Sequence, residues 1–431
     1  MTEAAATPAG EQTCASYLAD AIVGTGCGTV FALAGATHAP LLFALEDRGV
    51  AIVGGRHESG TVGAADGYAR RTGRTGFALI VAEQGLANAM TALAAMGVPV
   101  LGNGLGRGLA PEVAPTGYPW PYAQRAANQA DLVIVVGARM NMWFGYGLAP
   151  RFGAEARFIH IDSSAEAIGR NTAVDLALVA DPGRTLAALV EGLNAAQFSR
   201  DPAWIAEALA PRAQCVEALL ESYGDGLHSA SIGAALDAIL PEERVLVCDG
   251  ADSMNFTYAK MRVHRPRSYS NLLPFGAMGA GFPLAVGMAA AEAETALREG
   301  RAAKPVAFVT GDGSLGFFLA EIDTLARSAL PLTVLVANDG KWGTEYHGQQ
   351  LVYGRTSNTD LNGVDYAAIA GGFGCPAKVA TTRGELDAAI AQAHASAGPM
   401  LIDVRVDPDS GRIRKAEPLL AMILFEDIPH S

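Results

Sequence analysis

The chain has 431 residues, of which 50% are hydrophobic and 17% are charged, and its formal net charge at pH 7 is -13. This length exceeds one ordinary domain and indicates two or three. The negative charge argues against nucleic acid or an anionic membrane surface as a partner. A phosphate ligand is still compatible with this charge, because backbone N–H groups and a bound cation can offset the local repulsion.

The cysteines and the apolar runs indicate where the protein works. The five cysteines, at positions 14, 27, 215, 248 and 375, include no CxxC pair. A dispersed, odd-numbered set is typical of reduced thiols in a cytosolic protein. The N-terminal stretch lacks the basic start and apolar core of a signal peptide, and no apolar run is long and clean enough to span a bilayer. We therefore expect a soluble, cytoplasmic protein.

Short apolar runs alternate along the chain with alanine-rich amphipathic stretches, which predicts parallel α/β units. The runs are VFALAG (30–35), GFALIVA (76–82), LVIVVGA (132–138), RFIHID (157–162), RVLVCDG (244–250), VAFVTGDG (306–313) and LTVLVAND (332–339). Each run is continuous rather than alternating, as in strands covered on both faces. The predicted fold class is α/β, with parallel sheets in α/β/α domains.

The same alternation divides the chain into segments. We predict a first α/β unit at 12–96, a second at 97–193, a linker at 194–212 and a third unit at 213–408. The tail, 409–431, has charged and apolar residues without clear periodicity.

The strongest local motif is Gly311-Asp312-Gly313-Ser314, at the point where the strand-like VAFVT ends and a helix-like stretch begins. Glycines at such a point let the backbone approach an anion, and the start of a helix offers free N–H donors. Asp312, at the strand end, can hold a divalent cation that bridges diphosphate oxygens. The motif therefore predicts a phosphate and metal site.

A second motif, Asn338-Asp339-Gly340, follows the next predicted strand. It brings Asp339 to the same edge of the sheet as Asp312. Two carboxylates, a backbone carbonyl and phosphate oxygens form an all-oxygen ligand set, which suits Mg²⁺. Taken singly, GDG and NDG are also common turn sequences. Their occurrence on consecutive strands of one α/β unit is what favours the metal site.

The stretch 311–343, GDGSLGFFLAEIDTLARSALPLTVLVANDGKWG, resembles the thiamine-diphosphate motif of the superfamily of acetolactate synthase, benzaldehyde lyase and pyruvate decarboxylase. The resemblance implies that Asp312 and Asp339 are side-chain ligands of Mg²⁺ and that the carbonyl of Lys341 is a third ligand. It also implies cofactor contacts at Gly311, Gly313 and Ser314. The family usually has Asn where Asp339 stands, but Asp still supplies an oxygen.

The segment RHESGTVGAADGYARRTGR, 56–74, resembles the pyrimidine-binding domain of the same family, and Glu58 matches its essential acid. Without this resemblance, Glu58 reads as a glutamate that only favours a helix start. In the family, such a carboxylate holds the aminopyrimidine as its imino tautomer, so that the exocyclic nitrogen can take the C2 proton of the thiazolium ring. The resemblance further implies that Glu58 serves cofactor held by a second subunit, in a homodimer or homotetramer.

Two further segments match cofactor-binding regions of the family. In SNLLPFGAMGAGFPLAVGMAAA (270–291), Met278 matches the residue that props the cofactor into its bent shape, and Gly276 lies two residues before it. Upstream, Asp249, Gly250 and Ala251 match a loop near the diphosphate. On spacing alone, the first segment is equally a tightly packed helix start.

The substrate signals are less specific than the cofactor signals. The region 341–354 resembles benzaldehyde lyase, and 139–171 resembles both that lyase and the 2-hydroxyacyl-CoA lyases and oxalyl-CoA decarboxylases. His38 lies near the position of the catalytic histidine of the lyase, one residue out of register, and Thr37 is the alternative. Residues that could face a small carbonyl substrate, or simply pack in a loop, are Trp342, Thr344, Tyr346, His347 and Gln350.

The resemblance implies a thiamine-diphosphate- and Mg²⁺-dependent carbon–carbon lyase or carboligase. Two alternatives remain. One is an acetolactate synthase-like enzyme or a 2-keto acid or acyl-CoA decarboxylase, and the other is a cofactor-binding but inactive paralogue. The inactive alternative is favoured by length, since family members usually run to roughly 550 residues in three domains. Here the first segment ends near Met96, and Gly97 begins a stretch that resembles the interior of a reduced, Rossmann-like middle domain.

Overall fold

The computed structural model describes residues 13–32, 39–54, 77–79, 99–112, 117–119, 124–149, 151–195, 203–204, 206–208, 226–258, 260–271, 277–396, 398–407 and 409. The chain forms two compact units. The first comprises Met1–Leu93, Ile161–Ala165 and Leu178–Ser199, and the second comprises Ala94–His160, Glu166–Ala177 and Arg200–Ser431.

The beginning of the first unit is a small parallel sheet with two helices. Its elements are α1 (Cys14–Gly24), β1 (Thr29–Ala32), α2 (Ala39–Glu46), β2 (Ala51–Gly54) and β3 (Phe77–Leu79). The strand order is β2-β1-β3, and both pairings are parallel. Thr13 caps α1, because its hydroxyl accepts the N–H of Ser16 at 3.1 Å and satisfies a donor that the helix leaves free.

The central part of the chain contains two further sheets. These elements are β4 (Val100–Gly102), a 3-10 turn (Gly104–Gly106), β5 (Gly117–Pro119), α3 (Gln124–Gln129), β6 (Leu132–Val136), a second 3-10 segment (Met142–Gly147), β7 (Arg157–Asp162), β8 (Leu176–Val179) and α4 (Pro182–Ala195). Strands β4 and β5 pair in parallel, and β6, β7 and β8 form a three-stranded sheet in that order.

The largest sheet belongs to the second unit and has six strands. Its elements are α5 (Ser229–Ile239), β9 (Val245–Cys248), α6 (Asp252–Thr257), β10 (Tyr269–Asn271), α7 (Gly281–Glu299), β11 (Val306–Gly311), α8 (Asp312–Gly316), α9 (Glu321–Arg327), β12 (Leu332–Asn338), α10 (Gly343–Tyr353), α11 (Tyr366–Gly372), β13 (Ala377–Ala380), α12 (Arg383–Ser396) and β14 (Met400–Arg405). The order is β10-β9-β11-β12-β14-β13, and every pairing is parallel.

Helices cover both faces of this sheet. Along β11, Ala307 and Val309 pack into one apolar cluster with residues of α5 and α12, whereas Val306 and Phe308 pack into another with residues of α7 and α9. Successive side chains of a strand point to opposite faces, so the two clusters lie on opposite sides of the sheet. All four of these residues are at most 2% exposed, which explains why the strand reads as one continuous apolar run.

The predicted α/β class and its parallel sheets are confirmed, and all seven predicted apolar runs contain strands. One local expectation was wrong. The helix predicted after Gly313 is interrupted between α8 and α9, because Phe317 and Phe318 bond to carbonyls only three residues back. Gly316 ends α8, and glycine is a poor helix former. In the part of the chain described, no helix combines the length and apolarity needed to cross a membrane.

A buried ion pair ties the β4–β5 region to the segment between α6 and β10 within the second unit. Arg107 makes two hydrogen bonds of 2.7 Å with Glu112, and both side chains are at most 2% exposed. Arg107 also donates to the carbonyl of Met261 at 2.9 Å, while Glu112 accepts the N–H of Val263 at 2.9 Å. The pair is therefore joined to a segment far away in sequence, although Nη1 of Arg107 has no hydrogen-bond partner among the described residues.

Candidate active site

The candidate site lies at one edge of the six-stranded sheet. Strands β9, β11 and β12 are neighbours and run parallel, so their carboxyl ends meet at the same edge. Asp249, Asp312 and Asp339 each follow directly after one of these strands. In open parallel sheets, this edge is where ligands bind.

Asp312 fastens the loops after β11 and β12 to each other. Its Oδ1 accepts the N–H of Gly313 at 2.8 Å, and its Oδ2 accepts the N–H of Gly340 at 2.9 Å. Its backbone carbonyl accepts the hydroxyl of Tyr366 at 2.8 Å. The residue is 3% exposed, so these contacts hold its carboxylate in one orientation.

Asp339 projects from the end of β12 on a fixed base. The preceding Asn338 donates from Nδ2 to Oδ1 of Asp403 and to the carbonyl of Val364, at 2.9 Å in each case. Asp339 itself accepts the N–H of Lys341 through Oδ1 at 2.9 Å. This bond uses one carboxylate oxygen, so Oδ2 of Asp339 is the oxygen that could serve as a metal ligand, and the carbonyl of Lys341 lies in the same loop.

The carboxylates of Asp312 and Asp339 both have raised pKa values. Burial raises the pKa of Asp339 to about 8, and the neighbouring charge of Asp312 adds to the effect. Burial also raises the pKa of Asp312 to about 6, although backbone N–H donors oppose the shift. Neither carboxylate forms an ion pair with any cationic side chain in the described part of the chain. A divalent cation would supply the missing positive charge, so the donor set fits Mg²⁺.

Histidine, cysteine and carboxylate side chains do not by themselves complete a metal centre. Within the described ranges, no three such side chains are grouped to hold an ion. The proposed ligand set needs only two carboxylates, because a backbone carbonyl and phosphate oxygens would supply the other ligands.

Glycines allow close approach around these carboxylates. A Cβ on Gly313 would lie 2.6 Å from Cζ3 of Trp342, so the indole ring packs directly on the backbone at that position. Gly250 has a φ of 79°, and a Cβ there would lie 2.6 Å from Oγ of Ser253 and 3.2 Å from Oγ of Ser314. The loops after β9 and β11 can therefore meet only with glycine at these points.

Asp249 joins the loop after β9 to the start of α7. It is fully buried, and its carboxylate accepts the N–H of Gly250 at 2.5 Å and that of Gly281 at 3.0 Å. Both of its oxygens are thus used to join the β9 loop to the start of α7.

The start of α7 also reaches the loop after β11. Gly279 has a φ of 89°, and a Cβ there would lie 2.9 Å from the carbonyl oxygen of Ser314. The preceding residue, Met278, is 43% exposed and projects from this turn. An exposed apolar side chain at this edge is available to contact a ligand.

Two of the residues suggested for substrate contact, Thr344 and His347, meet an aspartate that the sequence did not single out. Thr344 donates its hydroxyl to Oδ1 of Asp252 at 2.7 Å, and Nε2 of His347 lies 3.3 Å from Oδ2. Trp342 packs over Gly313 instead. The available signal for Asp252 is its place just after Gly250-Ala251, at the end of a strand, like Asp312 after Gly311.

Three predicted site residues, Glu58, His38 and Gly276, lie outside the described residues. The other predicted site residues all belong to the second unit. Within that unit, the structure brings together the loops after β9, β11 and β12 and the start of α7.

A parallel sheet with buried carboxylates and glycine-rich turns at its carboxyl edge defines a class of α/β proteins that bind phosphorylated ligands. Three family models narrow the class. The model for the thiamine pyrophosphate enzyme N-terminal TPP binding domain matches residues 12–101, the central-domain model matches 78–189, and the C-terminal TPP binding domain model matches 250–404. The chain belongs to the thiamine pyrophosphate enzyme family, as its motifs predicted.

Individual relatives have names that describe different activities. The chain is 27% identical over 324 residues to a probable acetolactate synthase of Mycobacterium bovis, covering 74% of this chain and 56% of the relative. It is 26% identical over 330 residues to 2-hydroxyacyl-CoA lyase 1 of Mus musculus, covering 73% of this chain and 56% of the relative. The chain thus spans little more than half the length of these relatives.

One solved structure has the same fold. A thiamine diphosphate-dependent 4-hydroxybenzoylformate decarboxylase of Rhodococcus jostii matches with a TM-score of 0.57 and 18% identity. The match covers 92% of this chain and 99% of that chain. At this identity the likeness supports the fold of the chain and not its reaction.

Proposed function

We propose that the protein binds thiamine diphosphate together with Mg²⁺ and acts as a carbon–carbon lyase or carboligase on 2-hydroxy ketones, aldehydes or 2-keto acids. The observation that carries the proposal is the pair of carboxylates at the ends of adjacent strands, Asp312, which is buried, and Asp339, which is half-buried, without an ion-pair partner among the described residues. The names of the relatives, acetolactate synthase and 2-hydroxyacyl-CoA lyase, agree with chemistry beside a carbonyl.

Different residues of this chain would hold the cation and contact the diphosphate. Asp312, Asp339 and the carbonyl of Lys341 would hold Mg²⁺, and the backbone around Gly313 and Ser314 would contact the diphosphate. Bound thiamine diphosphate supplies an electron sink for a carbon atom next to a carbonyl. The buried setting of Asp312 would strengthen the attraction between its carboxylate and the cation, because charges interact more strongly away from bulk water.

Glu58 is the proposed acid that acts on the pyrimidine ring, by resemblance to the family. The same resemblance supports a homodimer or larger homo-oligomer as the active form. The Glu58→Gln variant should bind the cofactor nearly as well as the unchanged protein and should lose turnover, whereas undiminished turnover would remove Glu58 from this role. A cytoplasmic location belongs to the proposal, since Cys27, Cys248 and Cys375 are buried thiols.

The proposal is tested by calorimetric titration of the protein with thiamine diphosphate, with and without Mg²⁺. We expect saturable binding that requires the divalent ion. Turnover is then assayed with benzoin, pyruvate and glyoxylate. Absence of binding in the presence of Mg²⁺ would overturn the cofactor assignment.

A second candidate is a cofactor-binding protein without catalytic activity, favoured by the short match to its relatives, 56% of their length. The turnover assay, performed on protein shown by titration to bind the cofactor, separates the two candidates. Binding with turnover of one substrate supports the enzyme, and binding without turnover of any 2-hydroxy ketone, aldehyde or 2-keto acid supports the inactive protein.

A further inference from the structure

Asp252 occupies the junction of two loops of the candidate site. It is the first residue of α6 and follows the 249–251 loop at the end of β9. The residues that it contacts belong to α10, which begins just after the 339–341 loop at the end of β12. The two elements are 92 residues apart along the chain where Asp252 and Thr344 meet.

In the described part of the chain, the carboxylate of Asp252 contacts side chains of α10. Oδ1 accepts the hydroxyl of Thr344 at 2.7 Å. Oδ2 lies 3.3 Å from Nε2 of His347, one turn further along the helix, and the His347 side chain is only 4% exposed. Two side chains on one face of α10 thus meet one carboxylate from α6.

Gly343 makes this approach feasible. A Cβ there would lie 2.6 Å from Oδ2 of Asp252 and 3.1 Å from Oδ2 of Asp339. The carboxylates of Asp252 and Asp339 therefore flank the same α-carbon. Any movement of the first turn of α10 would displace the loop that carries Asp339 and Lys341.

We propose that Asp252 is a positioning residue of the cofactor site, which fastens the first turn of α10 to α6 and thereby holds the Asp339–Lys341 loop in place for the cation. The inference rests on the proposed binding of Mg²⁺ and thiamine diphosphate. Asp252 acts through the loop and need not contact the cofactor itself.

The role depends on a hydrogen-bond acceptor at this position and not on its charge. The charge itself is unfavourable, because it raises the pKa of Asp339 nearby. Asn in place of Asp252 would still accept the Thr344 hydroxyl, and its amide could donate to Nε2 of a neutral His347. Ala would break both contacts. The two substitutions therefore separate fastening from charge.

The experiment measures Mg²⁺–thiamine diphosphate affinity by calorimetry for the full-length protein and for the variants Asp252→Ala, Asp252→Asn and Glu345→Gln. Glu345 is the matched control, because it is an exposed carboxylate on the same turn of α10. Loss of a partner that orients metal ligands typically lowers affinity by roughly 10–100-fold, and we expect this for Asp252→Ala. Asp252→Asn should retain most of the affinity, and Glu345→Gln should leave it unchanged.

The outcomes are distinguishable. If the unchanged protein binds no cofactor, the proposed function fails, and this inference fails with it. If it binds and Asp252→Ala binds equally well, only the positioning role is refuted. Equal weakening in Asp252→Ala and Asp252→Asn would also refute it, because charge would then be the cause. Should Asp252→Ala not fold, as judged by circular dichroism, Thr344→Val removes the shorter contact and must weaken binding for the proposal to stand.

Discussion

The Oδ2 atom of Asp312 accepts the backbone N–H of Gly340 at 2.9 Å, so the carboxylate at the end of β11 holds the loop at the end of β12. A single side chain thus joins the two loops that carry the proposed metal ligands. Asp312 would therefore have two roles, as a proposed metal ligand and as the hydrogen-bond acceptor that joins the two loops. Removal of the Asp312 side chain should therefore disturb both loops.

The first prediction concerns Asp312 itself. Asp312→Ala removes a proposed ligand and releases the N–H groups of Gly313 and Gly340 together. We expect the affinity for Mg²⁺–thiamine diphosphate to fall by about 100-fold or more, since outer partners alone account for roughly 10–100-fold. Calorimetry measures the loss, and Asp323→Asn, an exposed carboxylate on α9, is the control. Unchanged affinity in Asp312→Ala would exclude the metal site.

The second prediction concerns the contact between Gly313 and Trp342. In Gly313→Ala, the new methyl group would lie 2.6 Å from the indole ring, so the ring or the loop must shift. Overpacking of this kind costs about 1–3 kcal/mol, and we expect weaker cofactor binding. The double variant with Trp342→Leu should recover part of the affinity, because the smaller side chain makes room. Equal affinities of the single and double variants would mean that the contact does not shape the site.

The third prediction concerns the buried pair of Arg107 and Glu112. Glu112→Leu leaves the Arg107 cation buried without its partner, which should lower the free energy of unfolding by about 3–5 kcal/mol. The double variant Arg107→Met/Glu112→Leu removes both charges and should be less destabilised than the single variant. Urea unfolding at pH 7 measures both. The single variant Arg107→Met completes the comparison. If the double variant loses as much stability as the two single variants together, the two charges act independently.

The fourth prediction concerns pH. Burial, followed by the nearby positive charge of Arg244, lowers the pKa of His264 below its ordinary value of 6.5. At pH values between the lowered pKa of folded His264 and 6.5, the unfolded chain binds a proton at this histidine that the folded chain does not. His264 therefore costs no stability above pH 6.5, and stability is lost as the pH falls below that value. His264→Gln should reduce the loss between pH 7.5 and 5.5, measured by urea unfolding. An identical loss in the variant would contradict the shift.

Much of the fold could be read from short stretches of sequence. The run VAFVTGDG is buried along β11, because strands covered on both faces by helices need apolar side chains in both directions. Asp312 and Asp339 could be assigned to one edge, because parallel strands bring their carboxyl ends together. The helix after Gly313 could not be bounded in this way, since its interruption near Gly316 depends on how the following turn packs.

The sequence by itself determined the family, the parallel α/β class and the two carboxylates of the proposed metal site, because each is encoded within a few adjacent residues. Only the tertiary structure decided that Asp252 meets Thr344, that the Arg107–Glu112 pair meets the backbone of Met261 and Val263, and that Trp342 covers Gly313. These contacts join segments far apart along the chain. Their partners are fixed by where packing places whole strands and helices, and no local pattern of residues carries that information.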